Sequence, residues 1–177
     1  MLNFIKKLFS IFSIFLIFNL IFVNSAQAGP TFVDADTFSV GTSGNNSLNK
    51  PQNVVFSTNG RKMFVINNMH NPLTNDYDRV DEYHLSTAFD ITSAGTIQQF
   101  KIVKDEDNAP RGLAFSADGT RMFVVGDNGN EVNEYSLNSF DLSSTVKTVS
   151  LENTFSISHD SNPAGIAFND DGTRMFV

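Results

Sequence analysis

The chain has 177 residues, carries 12 Lys and Arg against 19 Asp and Glu, and contains no cysteine. A net charge of −7 argues against nucleic-acid binding, which relies on neutralisation of phosphates by Lys and Arg. The lack of cysteine excludes disulfides, thiol catalysis and cysteine-based metal sites, so stability has to come from burial and strand pairing.

Residues 1–28 have the organisation of a secretory signal peptide. Lys6 and Lys7 precede an apolar run over residues 8–23, and residues 26–28 supply the small-x-small pattern that signal peptidase recognises. We predict cleavage after Ala28, a periplasmic or secreted location, and a mature chain that does not contact the membrane. An uncleaved N-terminal membrane anchor is the alternative, although the apolar run is short of the roughly 20 residues that a spanning helix needs.

One motif is repeated three times after residue 50. It reads PQNVVFSTNGRKMFV from Pro51, PRGLAFSADGTRMFVV from Pro110 and PAGIAFNDDGTRMFV from Pro163. Such repetition indicates an architecture of stacked units, each of which buries its hydrophobic face against its neighbours. Aligning the copies by their glycines shows a seven-residue insertion in the first copy, within residues 67–79.

Each complete copy predicts four short strands and no helix. Apolar residues alternate at 54–56, and an Asn-Gly or Asp-Gly turn then predicts a hairpin to residues 63–65. The third and fourth strands are expected at 80–85 and 96–102, and the second copy repeats the pattern up to residue 157. Residues that recur in the copies are assigned to the turn and to packing: Gly60, Gly119, Gly172, Phe56, Phe115 and Phe168. The recurring cations Lys62, Arg121 and Arg174 are assigned to strand-edge pairing or to protection against aggregation.

These patterns predict an all-β chain, an incomplete β-propeller of four-stranded antiparallel blades, with about two blades and part of a third. A β-sandwich is the alternative, but it would not need the same motif three times. The blades are expected at 51–102, 110–157 and, in part, 163–177. Within the N-terminal segment 29–50, residues 37–40 resemble the end of a fourth strand and are a candidate for closing the ring. We expect a fragment of a longer propeller, or else a chain that closes its ring by oligomerisation.

The motif P-x-G-[LI]-A-F-[SN]-x-D-G-T-R-M-F-V, followed by V-x-E-Y-x-L, resembles the YVTN-type and lactonase-like β-propeller repeats. More narrowly, it is similar to tandem repeats of uncharacterised secreted proteins from marine bacteria. The resemblance covers residues 38–177. It implies that the connection before each motif shares one face with the connection between the second and third strands. The first copy departs from the pattern, with Asn53 where Gly112 and Gly165 stand.

Function is sought where the copies differ, on the face that carries the 67–79 insertion. The candidate ligand-binding residues there are His70, Asp76, Tyr77, Asp78, Asp127, His159 and Asp160. Asp127 and Glu131 flank an oxygen-rich turn that is a candidate for Ca²⁺ or another divalent cation, with an ordinary polar turn as the alternative. The run 105–107 is interpreted as solvated charge.

No catalytic motif is recognised, so catalytic residues are left unassigned and no cofactor is predicted. We expect a binding or scaffold module for a protein, peptide or glycan ligand. The alternative is a metal-dependent hydrolase of the lactonase or gluconolactonase kind, which the resemblance suggests.

Overall fold

A computed structural model describes residues 38, 40, 50–68, 78–143 and 149–177, all of them in one compact unit, Asp36–Val177. The predicted signal peptide lies outside the described residues, as do most of segment 29–50 and residues 69–77 of the insertion. No helix within the described ranges is long and apolar enough to cross a membrane.

The described residues form antiparallel sheets in which strand order follows chain order. Sheet 1 contains β1 (Pro51–Phe56), β2 (Lys62–Asn67), β3 (Arg79–Leu85) and β4 (Ala94–Ile102). Sheet 2 contains β5 (Pro110–Phe115), β6 (Arg121–Gly126), β7 (Glu131–Ser136) and β8 (Ser150–Ser156), and sheet 3 contains β9 (Ala167–Phe168) and β10 (Met175–Phe176). A single 3₁₀ turn, Ile91–Ser93, is the helical element of these ranges. The all-β prediction is confirmed, and the three described sheets do not close into a ring.

Sheets 1 and 2 share two pairing irregularities at equivalent positions, and sheet 1 has a further one between Tyr83 and Leu85. The first strand of each slips by one residue, between Pro51 and Asn53 and between Pro110 and Gly112. The third strand slips before its tyrosine, at Tyr83 in sheet 1 and at the equivalent tyrosine in sheet 2. Such bulges increase the local twist of a strand, so the repeated motif fixes the shape of each sheet as well as its order.

A glycine in the left-handed conformation closes the first hairpin of each sheet. Gly60, Gly119 and Gly172 have φ values of 67°, 69° and 69°, which other residues adopt only with strain. In sheets 1 and 2 the glycine carbonyl accepts a hydrogen bond from the amide of Phe89 or Phe140, at 2.9 and 2.8 Å. A Cβ atom on Gly119 would stand 2.1 Å from the Phe140 ring, so contact as well as φ requires a glycine there.

Each sheet has two apolar faces, which we name by the second strand. The Met face carries the methionine of that strand, and the Phe face carries the phenylalanine that follows it. The Phe face of sheet 1 packs on the Met face of sheet 2, and the Phe face of sheet 2 packs on sheet 3. The rings of Phe64 and Phe115 lie 4.5 Å apart at the first junction, and those of Phe123 and Phe168 lie 4.5 Å apart at the second.

Lys62 has a role other than the one expected of a strand-edge cation. It lies on β2, which pairs with β1 on one side and β3 on the other, so the assignment to an edge is wrong. Its Nζ atom is 2.7 Å from Oε1 of buried Glu82 and donates to the Phe140 carbonyl at 2.6 Å. The Leu142 amide donates to the other Glu82 oxygen at 2.8 Å. This ion pair therefore joins sheet 1 to a loop of sheet 2.

Candidate functional site

The connections between sheets and the connections between second and third strands meet at one end of the sheets, which we call the loop face. The Val103 amide donates to the Asp78 carbonyl at 2.9 Å, and the Ile157 amide donates to the Asn130 carbonyl at 2.8 Å. The glycine turns of the first hairpins lie at the opposite end, the turn face. The shared face that the family resemblance implies is therefore present in the described residues.

The base of the insertion is held by three buried polar side chains, which we call the Asp81 clamp. Asn67 ends β2, Arg79 begins β3, and the two are paired across the strands. The Asn67 amide donates to Asp81 Oδ2 at 2.9 Å, and Arg79 Nε lies 2.7 Å from Asp81 Oδ1. The Arg79 guanidinium also lies over the Phe100 ring, 5.0 Å from its centroid. Both sides of the neck are thus fixed to one carboxylate.

Sheet 2 has no such clamp. The equivalent positions hold Gly126, Glu131 and Asn133, as the strand registers show. A glycine offers no side-chain donor at the end of the second strand, and the charge at the start of the third strand is reversed. The clamp is therefore specific to the copy that carries the longer connection, 68–78 in place of 127–130.

Three carboxylates converge beside the clamp, and we call them the carboxylate cluster: Asp78, Asp107 and Asp127. Asp107 is fully buried, and its Oδ1 accepts a hydrogen bond from the Ala109 amide at 2.9 Å. Burial raises the pKa of Asp107 from 3.8 to about 6, the amides of Ala109 and Asn128 oppose this rise, and the charges of the other two carboxylates add to it. The interpretation of residues 105–107 as solvated charge is therefore wrong for Asp107.

Gly126 explains how Asp107 can be buried. A Cβ atom at this position would lie 2.4 Å from Asp107 Oδ2 and 2.3 Å from the Ala109 carbonyl oxygen. Any other residue would push the aspartate away from β6. The nearby Asp127 carboxylate is half-buried and forms an ion pair with Arg111, so one positive charge faces the cluster from β5.

Several predicted site residues have other surroundings. Asp160 accepts a hydrogen bond from the Asn162 amide at 3.0 Å, which is the same local turn that Asp107 makes with Ala109. The aspartate therefore supports a backbone turn in both copies, although His159 beside it is exposed. His70, Asp76 and Tyr77 lie outside the described residues.

The buried tyrosines of the third strands end near these acidic groups. Burial raises the pKa of Tyr83 to about 12, and the Asp81 charge adds to the effect. Burial likewise raises the pKa of Tyr135, with further contributions from Glu106, Asp107 and Glu131. Both rings therefore stay neutral, and their hydroxyl groups border the polar layer beneath the loop face.

In the part of the chain that the structure describes, no group of three or more His, Asp or Glu side chains could hold a metal ion. Asp127 and Glu131 flank the predicted cation turn without forming such a group. The clamp and the burial of Asp107 have no local sequence signal, because both depend on contacts between strands. The sequence does carry a signal for a turn aspartate, since Asp107 and Asp160 each lie three residues before the proline that begins a repeat.

No family model matches the chain, and no curated protein matches it. One solved structure that is similar is described as a "putative 6-phosphogluconolactonase" from Bacteroides uniformis, with 18% identity and a TM-score of 0.42. The match covers 67% of this chain and 32% of that one, so the chain spans about a third of that protein's length.

Proposed function

We propose that this chain is an exported β-propeller repeat protein that binds a protein, peptide or glycan ligand through the loop face. The observation that carries the proposal is the Asp81 clamp. Sheets 1 and 2 share strand order and two bulges, yet of these two sheets only the one with the longer connection has the clamp. A feature that every copy has serves the sheet, whereas a buried polar arrangement confined to one copy indicates a separate role.

The clamp favours binding because it fixes the neck of the connection before any ligand arrives. Asn67, Arg79 and Asp81 are each at least nine-tenths buried, so the two strand ends have little freedom. A preformed neck lowers the entropic cost of ordering a loop on binding. The net negative charge of the chain favours ligands that carry amine or guanidinium groups.

A loop exchange tests this proposal. Residues 68–78 are replaced by Asp-Asn-Gly-Asn, the sequence of 127–130. The last asparagine then stands in the place of Asp78, and its carbonyl can accept from the Val103 amide as the Asn130 carbonyl accepts from the Ile157 amide. The whole chain and the exchanged chain are screened on peptide and glycan arrays, with Thr58→Ala on the turn face as the control. We expect the exchange to abolish binding and the control to keep it. Equal binding by the exchanged chain would contradict the proposal.

A second candidate is a metal-dependent hydrolase of the lactonase or gluconolactonase kind. The observation in its favour is the pKa of about 6 for Asp107, because acid–base catalysts work best with a pKa near the operating pH. Against it, Asp107 is fully buried. At least one metal ligand would have to come from outside the described residues, where His70 and Asp76 lie.

Metal analysis and a lactone hydrolysis assay separate the two candidates. The purified whole chain is measured after addition of Ca²⁺ or Mn²⁺ and again after chelation. Hydrolysis that needs the added metal would support the enzyme and count against a purely binding role. Absence of bound metal together with absence of hydrolysis would exclude this second candidate.

A further inference from the structure

We propose that Asn128 is a site of spontaneous deamidation, at which the Gly129 nitrogen attacks the asparagine side chain and ammonia is lost. The chain contains Asn-Gly twice, at residues 59–60 in the first hairpin of sheet 1 and at residues 128–129 in the loop-face connection of sheet 2. The reaction is easiest before glycine, because glycine has no side chain to hinder the approach of its nitrogen. The surroundings of the two asparagines differ, and they select Asn128.

The hairpin turn at Asn59 restrains every group that the reaction has to move. The Asn59 Oδ1 atom accepts hydrogen bonds from the Ser57 hydroxyl at 2.9 Å and from the Arg61 amide at 3.0 Å. The Gly60 amide donates to the Ser57 carbonyl at 2.8 Å, so its nitrogen is already engaged. Gly60 is also buried, with the Phe89 ring against it. An attack on Asn59 therefore requires the turn to open first.

The connection at Asn128 does not restrain the reacting groups in this way. Asn128 and Gly129 are both exposed. Within the described residues the Asn128 side chain has no hydrogen-bond partner, and the Gly129 amide makes no backbone hydrogen bond of normal geometry. A Cβ atom on Gly129 would first meet the flexible side chain of Glu131, at 3.2 Å, where the same atom on Gly60 would stand 2.4 Å from the Phe89 ring. The side chain and the nitrogen can therefore approach each other while the strands stay paired.

The reaction needs water as its co-reactant and involves no oxidation or reduction. The Gly129 nitrogen loses its proton and bonds to Cγ of Asn128, while the bond from Cγ to Nδ2 breaks. The departing amide group takes up the proton and leaves as ammonia, and a cyclic imide remains. Water then cleaves one of the two bonds from the imide nitrogen to a carbonyl carbon. Cleavage at Cγ gives aspartate, and cleavage at the main-chain carbonyl gives isoaspartate.

Either product changes the loop face. The new carboxylate follows Asp127 directly and lies near Asp107, whose carboxyl contacts the Asn128 amide. Isoaspartate also carries the main chain through the former side chain, which lengthens the short connection 127–130 by one atom. The modification thus adds negative charge and alters the backbone at the end of the sheets where the copies differ.

Deamidation of Asn59 would have little consequence by comparison. Sheet 2 already has an aspartate at this position, Asp118, which accepts from the Ser116 hydroxyl at 2.6 Å and from the Thr120 amide at 3.0 Å. Conversion of Asn59 to aspartate would reproduce that turn. The exposed connection at Asn128 is therefore the place where the same chemistry is both faster and structurally significant.

Peptide mapping by mass spectrometry tests the site. The purified whole chain is incubated at neutral pH, samples are digested at intervals, and aspartate and isoaspartate are measured at each Asn-Gly pair. A sample held in concentrated urea is the control, because unfolding exposes both pairs equally. Asn128→Gln is the matched variant, since it keeps an amide side chain but forms the cyclic imide far more slowly.

We expect the folded chain to react at least about tenfold faster at Asn128 than at Asn59, because only Asn59 has to wait for local opening. In urea the two rates are expected to be similar, and Asn128→Gln is expected to abolish most of the ammonia released by the folded chain. Equal rates at the two asparagines of the folded chain would overturn the proposal. So would a faster reaction at Asn59, or no reaction at Asn128 over a period in which the unfolded chain reacts.

Discussion

Asp107→Asn is expected to stabilise the fold at neutral pH and to change it little at pH 4. The pKa of Asp107 is raised from 3.8 to about 6, mainly by burial. Because the folded chain holds this proton more tightly than the unfolded chain, stability falls as the pH rises from about 4 to about 6. The difference between 3.8 and about 6 corresponds to about 3 kcal/mol of lost stability above that range.

The asparagine removes this penalty while it keeps most of the local structure. Its Oδ1 atom can still accept from the Ala109 amide, and its amide group can face Asp78 and Asp127. Loss of the contact with the Asn128 amide costs about 1 kcal/mol, so the net gain at pH 7.5 is about 1–3 kcal/mol. Urea denaturation at pH 4 and pH 7.5 measures the free energy of unfolding for both chains.

Asp160→Asn is the matched control for this measurement. Asp160 makes the same turn in a more exposed position, so the substitution should change stability by less than about 0.5 kcal/mol at either pH. The reasoning fails if Asp107→Asn lowers stability at pH 7.5. It also fails if the two variants have the same pH dependence, because burial of Asp107 would then have no energetic consequence.

Two further predictions use equivalent residues of different sheets. Gly119→Ala should cost at least about 2 kcal/mol more than Gly172→Ala, because both share the φ strain but only Gly119 has the Phe140 ring against it. Equal shifts in thermal denaturation would contradict this. Glu82→Gln should lower the free energy of unfolding by about 2 kcal/mol, since it leaves a half-buried lysine without its carboxylate. Glu134 pairs with an exposed arginine, so Glu134→Gln should lower it by less than about 1 kcal/mol. Denaturation curves that rank these two variants in the opposite order would refute the role of the ion pair at the sheet junction.

The sequence predicted the strands well because their signals are local. The Asn-Gly and Asp-Gly turns place a glycine where positive φ is needed, and the alternation of apolar residues sets each strand's register. The observed hairpins turn at Gly60, Gly119 and Gly172, as expected. The 3₁₀ turn at Ile91–Ser93 was not predicted, because it depends on Asp90, whose side chain accepts from the Thr92 amide.

The site was predicted less well because its features depend on residues that are distant in sequence. Asp107 is buried because Gly126 leaves space for it, and no local pattern around residues 105–107 reveals that contact. Asp81 lies on a strand whose alternation of apolar and polar residues does not indicate that its carboxylate contacts Arg79 and Asn67. The repeat shows that a cation recurs at the position of Lys62, but it does not show that Lys62 contacts the Glu82 carboxylate. The assignment to a strand edge therefore had no contact to correct it.

The central claim is that the loop face above the Asp81 clamp binds a ligand. Its most direct test is the affinity of one array-selected peptide or glycan for the whole chain, measured by calorimetric titration, beside the chain in which 127–130 replaces 68–78. We predict saturable binding to the native chain and at least a hundredfold loss of affinity in the exchanged chain, which keeps its strands by circular dichroism. Unchanged affinity would show that the ligand binds elsewhere and would contradict the account.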